Sequence, residues 1–170
     1  TTGLSKSQEE ELLILSKKIP IVYSANFSIG VTLLSGLVSN STKMLGAEWD
    51  IEILEMHHKH KIDAPSGTAL LLGKSAAHAR NQELSNVKSV SREGIVGKRK
   101  ASEIGFAVLR GGDVVGEHSV IFSNSGERIE LVHKATNRSI FASGALRASH
   151  WAATADPGLY SLSDVLINGG

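Results

Sequence analysis

Apolar positions along this chain fall into two periods, and the switches between them mark its elements. Ile51, Ile53 and Glu55 alternate with Glu52, Leu54 and Met56, the period of a strand. Ala69, Leu70, Leu72, Gly73, Ala76 and Ala77 follow at helical spacing, which predicts a helix to about Arg80. Upstream, Ser5-Lys6-Ser7-Gln8 reads as a capping box, and Leu12, Leu13 and Leu15 with Lys17-Lys18 complete a helix. Ile19-Pro20-Ile21-Val22-Tyr23 is a short buried strand, Ser24 to Ser28 a loop at its end, and Ile29 to Val38 another helix. Asn81 to Lys100 is polar and turn-rich. Within it, the basic, glycine-punctuated run from Ser91 to Lys100 reads either as a solvated loop or as a lid that touches an anion.

Downstream the period becomes two. Ile104 to Leu109, Val114 to Phe122 and Arg128 to Lys134 read as three strands, joined by turns at Gly111-Gly112-Asp113 and Asn124-Ser125-Gly126-Glu127. Linked in this way, consecutive strands are expected to pair antiparallel. One face of the middle strand carries Val114, Gly116, His118, Val120 and Phe122. The other carries Val115, Glu117, Ser119 and Ile121, which is half polar and suits solvent, a ligand or a partner subunit. A helix from Arg138 to about Thr154, capped by Thr136 or Asn137, ends at Asp156-Pro157-Gly158, and a short closing segment follows. The opening helix–strand–loop–helix order is the tail of a βαβ pattern. The fold class expected is therefore α/β, with a second part whose sheet is mixed and largely antiparallel.

Composition narrows this. With 170 residues, 41% of them hydrophobic, the chain can bury a substantial core. A formal net charge of +1 gives no case for nucleic acid. The absence of cysteine excludes disulfides, thiolate zinc sites and a Cys nucleophile. No apolar run approaches the ~20 residues of a membrane helix. The chain begins at Thr1, and Thr1-Thr2-Gly3 reads like the middle of a loop, so a fragment of a longer protein is expected.

Chemistry concentrates between the strand at 51–56 and the helix at 69–80, in Glu55-Met56-His57-His58-Lys59-His60-Lys61-Ile62-Asp63-Ala64-Pro65-Ser66-Gly67-Thr68-Ala69. A strand end meeting a helix start is where open α/β sheets hold ligands. The first-turn N–H groups of Ser66-Gly67-Thr68, with Lys61 and the imidazoles, form a site for a small oxygen-rich anion such as a dicarboxylate or phosphate. Imidazole suits proton transfer near neutrality. Two other readings of the cluster stand beside this one. One is a metal site, against which Lys59 and Lys61 repel a cation and His57 and His58 face opposite sides of a strand. The other is a basic loop without a role. Glu117-His118 offers an acid–base pair, against which neighbours on a strand face opposite ways; the favoured reading of His118, and of His133, is a hydrogen-bonded sheet residue.

The 55–69 stretch resembles the signature of the bacterial dihydrodipicolinate reductase (4-hydroxy-tetrahydrodipicolinate reductase) family. Thr1-Thr2-Gly3, Ser24 to Ser28, Gly112 to His118 and His133-Lys134-Ala135 with Arg138 and Phe141 agree in order. The resemblance implies a cytoplasmic, homotetrameric enzyme of lysine and diaminopimelate synthesis that reduces a cyclic dicarboxylate with NADH or NADPH. It implies part of a Rossmann-type dinucleotide domain at 1–28 and 139–170, and a substrate-binding and tetramerisation domain at 29–138. Its glycine-rich dinucleotide fingerprint would precede Thr1. By motif, His57 and Lys61 would be catalytic; His58, Gly67 and Thr68 would bind substrate; Thr1, Thr2, Ser24, Ala25, Asn26 and Phe27 would border the cofactor. No metal is implied.

Overall fold

In the computed structural model, which describes residues 3–90 and 92–169, the chain divides into two compact units. One comprises Thr1–Leu33 with Arg138–Gly170, the other Leu34–Asn137.

The first unit begins with α1 (Lys6–Leu15), whose capping box closes as expected: Gln8 N–H donates to Ser5 Oγ and Ser5 N–H to the Gln8 side chain. Strand β1 (Pro20–Val22) follows, and α2 (Ile29–Leu45) starts where Ser28 Oγ accepts from Val31 N–H. This helix passes unbroken through Gly36 and runs seven residues beyond the expected end at Val38, into the second unit. After the second unit come α5 (Ser139–Ala152), β7 (Gly158–Tyr160) and α6 (Leu162–Asn168). Strands β1 and β7 pair in parallel. Ala148, Leu162 and Val165 are buried, with Val22, Phe27 and Trp151 packed against them. Two expectations are corrected here, and one is filled in. β1 is half-buried rather than buried, because β7 is its sole strand partner among the described residues. Arg138, in helical conformation and without a side-chain cap, holds the cap position of α5 that Thr136 or Asn137 was expected to take. The closing segment forms its own strand and a capped helix, with Ser161 and Asp164 as a second capping box.

The second unit holds β2 (Asp50–His57), α3 (Gly67–Ala79), the single turn α4 (Leu84–Val87), β3 (Lys88–Ser89), β4 (Ile104–Arg110), β5 (Gly116–Asn124) and β6 (Glu127–Ala135). Their sheet has the order β3-β4-β2-β5-β6. β2 is parallel to β4 and antiparallel to β5, and β5–β6 is the expected hairpin. The sheet is mixed and largely antiparallel, but β4 and β5 do not pair with each other. β2 lies between them, so the 111–115 segment is a crossing over the end of β2, not a hairpin turn. Val114 and Val115 belong to that crossing rather than to the strand.

Register sets two faces. Ile51, Ile53, Ile104, Phe106, Val120 and Phe122 are buried under Leu34 and Val38 of α2 and Ala69, Leu72, Ala76 and Ala77 of α3. The opposite face carries Glu52, Leu54, Met56, Ala107, Leu109, Glu117, Ser119, Ile121 and Val132. Over β2 and β4 on this face the basic loop is pinned down. Arg92 donates to Glu52 at 2.7 and 2.8 Å and also to Glu103. Arg99 donates to Glu52 at 3.0 Å and to Asp50 at 2.7 Å. Gly105 is required beneath them, since a Cβ there would lie 1.9 Å from Glu52 Oε2. Ser91 itself lies outside the described residues.

Candidate active site

The helix-covered face turns from apolar to polar at one end. Past Ile53 on β2, the inward positions are Glu55 and His57. Their register neighbours are His118 on β5, opposite Glu55, and Arg110 on β4, opposite His57; His133 on β6 lies opposite His118. Strand periodicity thus delivers five titratable groups to one end of one face. The N-terminus of α3 sits over them, with Ser66 as N-cap and its Oγ accepting from Ala69 N–H.

Glu55 is at the centre and is 1% exposed. Its Oε1 accepts from Ser66 N–H and Arg110, both at 2.9 Å. Oε2 accepts from Arg110 at 2.7 Å and lies 2.6 Å from His57 Nδ1. Burial alone would push this carboxyl up, but the hydrogen bonds from Arg110, His57 and Ser66 outweigh it and hold the pKa below the ordinary range. Arg110 continues to the Asp63 carbonyl at 2.8 Å, tying the 57–66 loop to β4. The loop is held from its other side as well. Gly111 N–H donates to His57 O, His58 N–H to Val114 O, and Lys59 N–H to Gly112 O. The crossing segment that replaces the expected hairpin therefore forms one wall of a cleft of about 610 Å³ lined by His58, Lys59, His60, Gly112 and Asp113.

His118 meets His57 edge to face, ring centroids 5.1 Å apart, and its Nε2 lies 3.1 Å from Ser66 Oγ. Burial foremost, then the neighbouring His57, pushes its pKa down to about 4. Lys61 pairs with Asp63 at 2.7 Å, and that ammonium in turn lowers the Asp63 carboxyl. Gly67 is exposed, with nothing within 4 Å of the place a Cβ would take, so a ligand can approach the backbone at the helix start. Thr68 follows in the same first turn. Among the described residues no group of three or more His, Cys, Asp or Glu side chains is placed to share a metal ion.

The structure thus brings His57, His58, Lys61, Gly67 and Thr68 together in the second unit and adds Glu55, Arg110, Ser66 and His118 to them. Ser24, Ala25, Asn26 and Phe27 belong to the first unit, in the loop after β1. There Ser24 Oγ donates to Asn26 O, and Asn26 Oδ1 accepts from Ser28 N–H. Gly144 of α5 lies so close that a Cβ would stand 1.7 Å from the Phe27 carbonyl, which fixes this loop against the helix. Thr1 and Thr2 lie outside the described residues.

Known proteins resemble this chain in sequence and fold. The family model described as "Dihydrodipicolinate reductase, C-terminus" matches residues 30–166. The 4-hydroxy-tetrahydrodipicolinate reductase of Parvibaculum lavamentivorans is 53% identical over 166 residues, covering 98% of this chain and 61% of its own length. That of Agrobacterium fabrum is 56% identical over 167 residues, with the same coverage. A dipicolinate-bound dihydrodipicolinate reductase from Paenisporosarcina sp. TG-14 superposes with a TM-score of 0.75 at 28% identity, over 98% of this chain and 62% of that one. The chain spans about three-fifths of the length of these relatives. With its histidine-rich strand end, the helix start facing it and a match across most of its residues, this chain belongs to the dihydrodipicolinate reductase family.

Proposed function

We propose that this chain carries the substrate site of a 4-hydroxy-tetrahydrodipicolinate reductase of lysine and diaminopimelate synthesis, acting in the cytoplasm with NADH or NADPH. The observation that carries the reading is His57, backed by the buried carboxylate of Glu55, which also accepts from Ser66 N–H at the α3 N-terminus. The substrate class, a ring bearing two carboxylates, matches what that surface offers: Lys61, His58 and the first-turn amides of Gly67 and Thr68 are all donors. As hydride adds to the ring, nitrogen or the adjacent carbon must gain a proton, and His57 or Lys61 supplies it.

The first unit is assigned to dinucleotide binding. Its parallel β1–β7 pair and the loop at the carboxyl end of β1 suit the edge of such a site. Ser24, Ala25, Asn26 and Phe27, with Thr1 and Thr2, would border the nicotinamide, which when bound supplies the hydride. The second unit is assigned to substrate binding and to assembly of a homotetramer through β4, β5 and β6. Support for assembly is the sheet face opposite α2 and α3, where Leu109 and Val132 are each 48% exposed around a Glu117–Lys134 pair. A monomer by light scattering at micromolar concentration would count against that part.

The test of the site is kinetic, on the full-length reductase. His57→Ala and Lys61→Ala should each lower kcat by ~10²–10⁴-fold, and His58→Ala should act mainly by raising KM. Undiminished turnover in both the His57 and Lys61 variants would overturn the assignment.

A further inference from the structure

We propose that Glu55 is a positioning residue for the reduction: it fixes the proton of His57 on Nδ1 and so leaves Nε2 as the working nitrogen. The inference deepens the reading of His57 as the acid and rests on it. It follows from counting donors. Each carboxylate oxygen offers about two acceptor sites, and both oxygens of Glu55 are filled. Oε1 faces Ser66 N–H and one Arg110 nitrogen; Oε2 faces the other Arg110 nitrogen and His57 Nδ1. Arginine and a backbone N–H can only donate. A bidentate guanidinium also requires an ionised carboxylate beneath it. His57 Nδ1 must therefore be the donor in its 2.6 Å contact.

The other nitrogen lies against Gly116. A Cβ on Gly116 would stand 2.9 Å from His57 Nε2, so the missing side chain keeps that nitrogen from being crowded. With Nδ1 committed to Glu55, proton exchange with a ligand runs through Nε2. Without the carboxylate, His57 could hold its proton on either nitrogen.

Glu55→Gln separates this from a structural role. If the new amide NH₂ takes the place of Oε1, it meets two donors, Ser66 N–H and Arg110. In place of Oε2 it meets one Arg110 donor, and it can donate to His57 Nδ1. The second placement is less costly, and it reverses the tautomer: Nδ1 accepts and Nε2 carries the proton. A neutral ring protonated only at Nε2 is a poor acid, so kcat should fall ~10²-fold or more, with ring KM changed by less than about threefold. Glu55→Asp, which keeps a carboxylate, should recover part of the loss.

The tautomer is read directly from imidazole ¹⁵N shifts. In the wild-type chain the neutral His57 ring should show Nδ1 protonated; Nε2 protonated instead overturns the proposal, and this needs no variant to fold. In Glu55→Gln the assignment should reverse and kcat fall. An unchanged tautomer or an unchanged kcat in a folded variant overturns it. On a His57→Ala background Glu55→Gln should cost nothing further. If His57→Ala alone turns over like wild type, the acid assignment fails, while the ¹⁵N result still decides the orientation by Glu55.

Discussion

His118 has lost most of its contact with water and sits where a proton is unwelcome. Burial first, then the neighbouring His57, disfavour the imidazolium; Glu55 favours it and is outweighed; His133 and Lys61 add to the repulsion. Its pKa is pushed down to about 4 from an ordinary 6.5. The unfolded chain therefore binds the extra proton more readily than the native one. The stability this group contributes is fully present above about pH 6.5 and is lost as pH falls toward 4, up to about 3 kcal/mol. Glu55, with a lowered pKa, contributes a further loss at more acid pH, below its ordinary value of 4.5. Urea unfolding followed by Trp49, which is buried in the core of the same unit, should show a midpoint falling over that first window. A Trp151→Phe background silences the other tryptophan. His118→Gln should flatten this limb, and a His118 ring titrating near 6.5 by NMR would refute the account. Of the site, the 57–68 stretch was legible because its residues are neighbours in sequence and their types are unusual there. Arg110 and His118 were not, since they reach Glu55 and Ser66 across 55 and 52 residues. Glu55 was in plain view, but alternation alone shows only that it faces inward. That pattern does not reveal a partner for a buried acid.

At the scale of elements, α3 matters because its first turn faces the site and its body lies on the sheet. The fit is close at Gly73: a Cβ there would stand 2.5 Å from Phe106 Cζ and 3.2 Å from Leu84 Cδ1. Gly73→Ala sets two effects against each other. Helix propensity gains ~1 kcal/mol, while overpacking a filled core costs about 1–3 kcal/mol. Phe106 is itself buried in the core and has little room to swing away, so the loss should win. Thermal unfolding should show a Tm a few degrees lower, together with weaker dicarboxylate binding as the helix start is displaced. A raised Tm would show that the helix has room to retreat. The same element scale explains what sequence periodicity missed. Alternation assigned the inward residues of β2 and β5 to the correct faces, because it depends only on local geometry. Strand order depends on pairing between distant segments, and a short glycine turn is compatible with either a hairpin or a crossing. Here β4 and β5 both seek the central β2, and the 111–115 segment bridges over its end. The basic loop reads from sequence as solvated or as a lid. It is exposed from Arg92 to Lys98, as a solvated loop is, and what the sequence does not show is that Arg92 and Arg99 tie it to Glu52, a partner some forty residues earlier in the chain.

On the scale of the whole molecule, the proposed substrate residues and the proposed cofactor residues fall in different units. His57, His58, Lys61, Gly67 and Thr68, with Glu55, Arg110 and His118 beneath them, all belong to Leu34–Asn137, which has its own sheet and core. Ligand capture should therefore not require the dinucleotide. Pyridine-2,6-dicarboxylate, a planar ring with two carboxylates, should bind this chain alone, weakly, with Kd on the order of 0.1–1 mM. The contacts available to it are cationic and amide donors, so affinity should fall as salt rises. Lys61→Ala should weaken binding about tenfold, or ~1.4 kcal/mol. That is less than a fully buried charge would contribute, because Lys61 is partly exposed and must exchange Asp63 for the ligand. Glu55→Gln should leave Kd within about threefold, since Glu55 acts behind His57 and offers no donor to the ligand. Isothermal calorimetry at two salt concentrations checks all four expectations. No heat at millimolar dicarboxylate would remove the anion site. Binding that is indifferent to Lys61 and to salt would move the ligand away from the α3 N-terminus, and the substrate assignment of this unit would go with it.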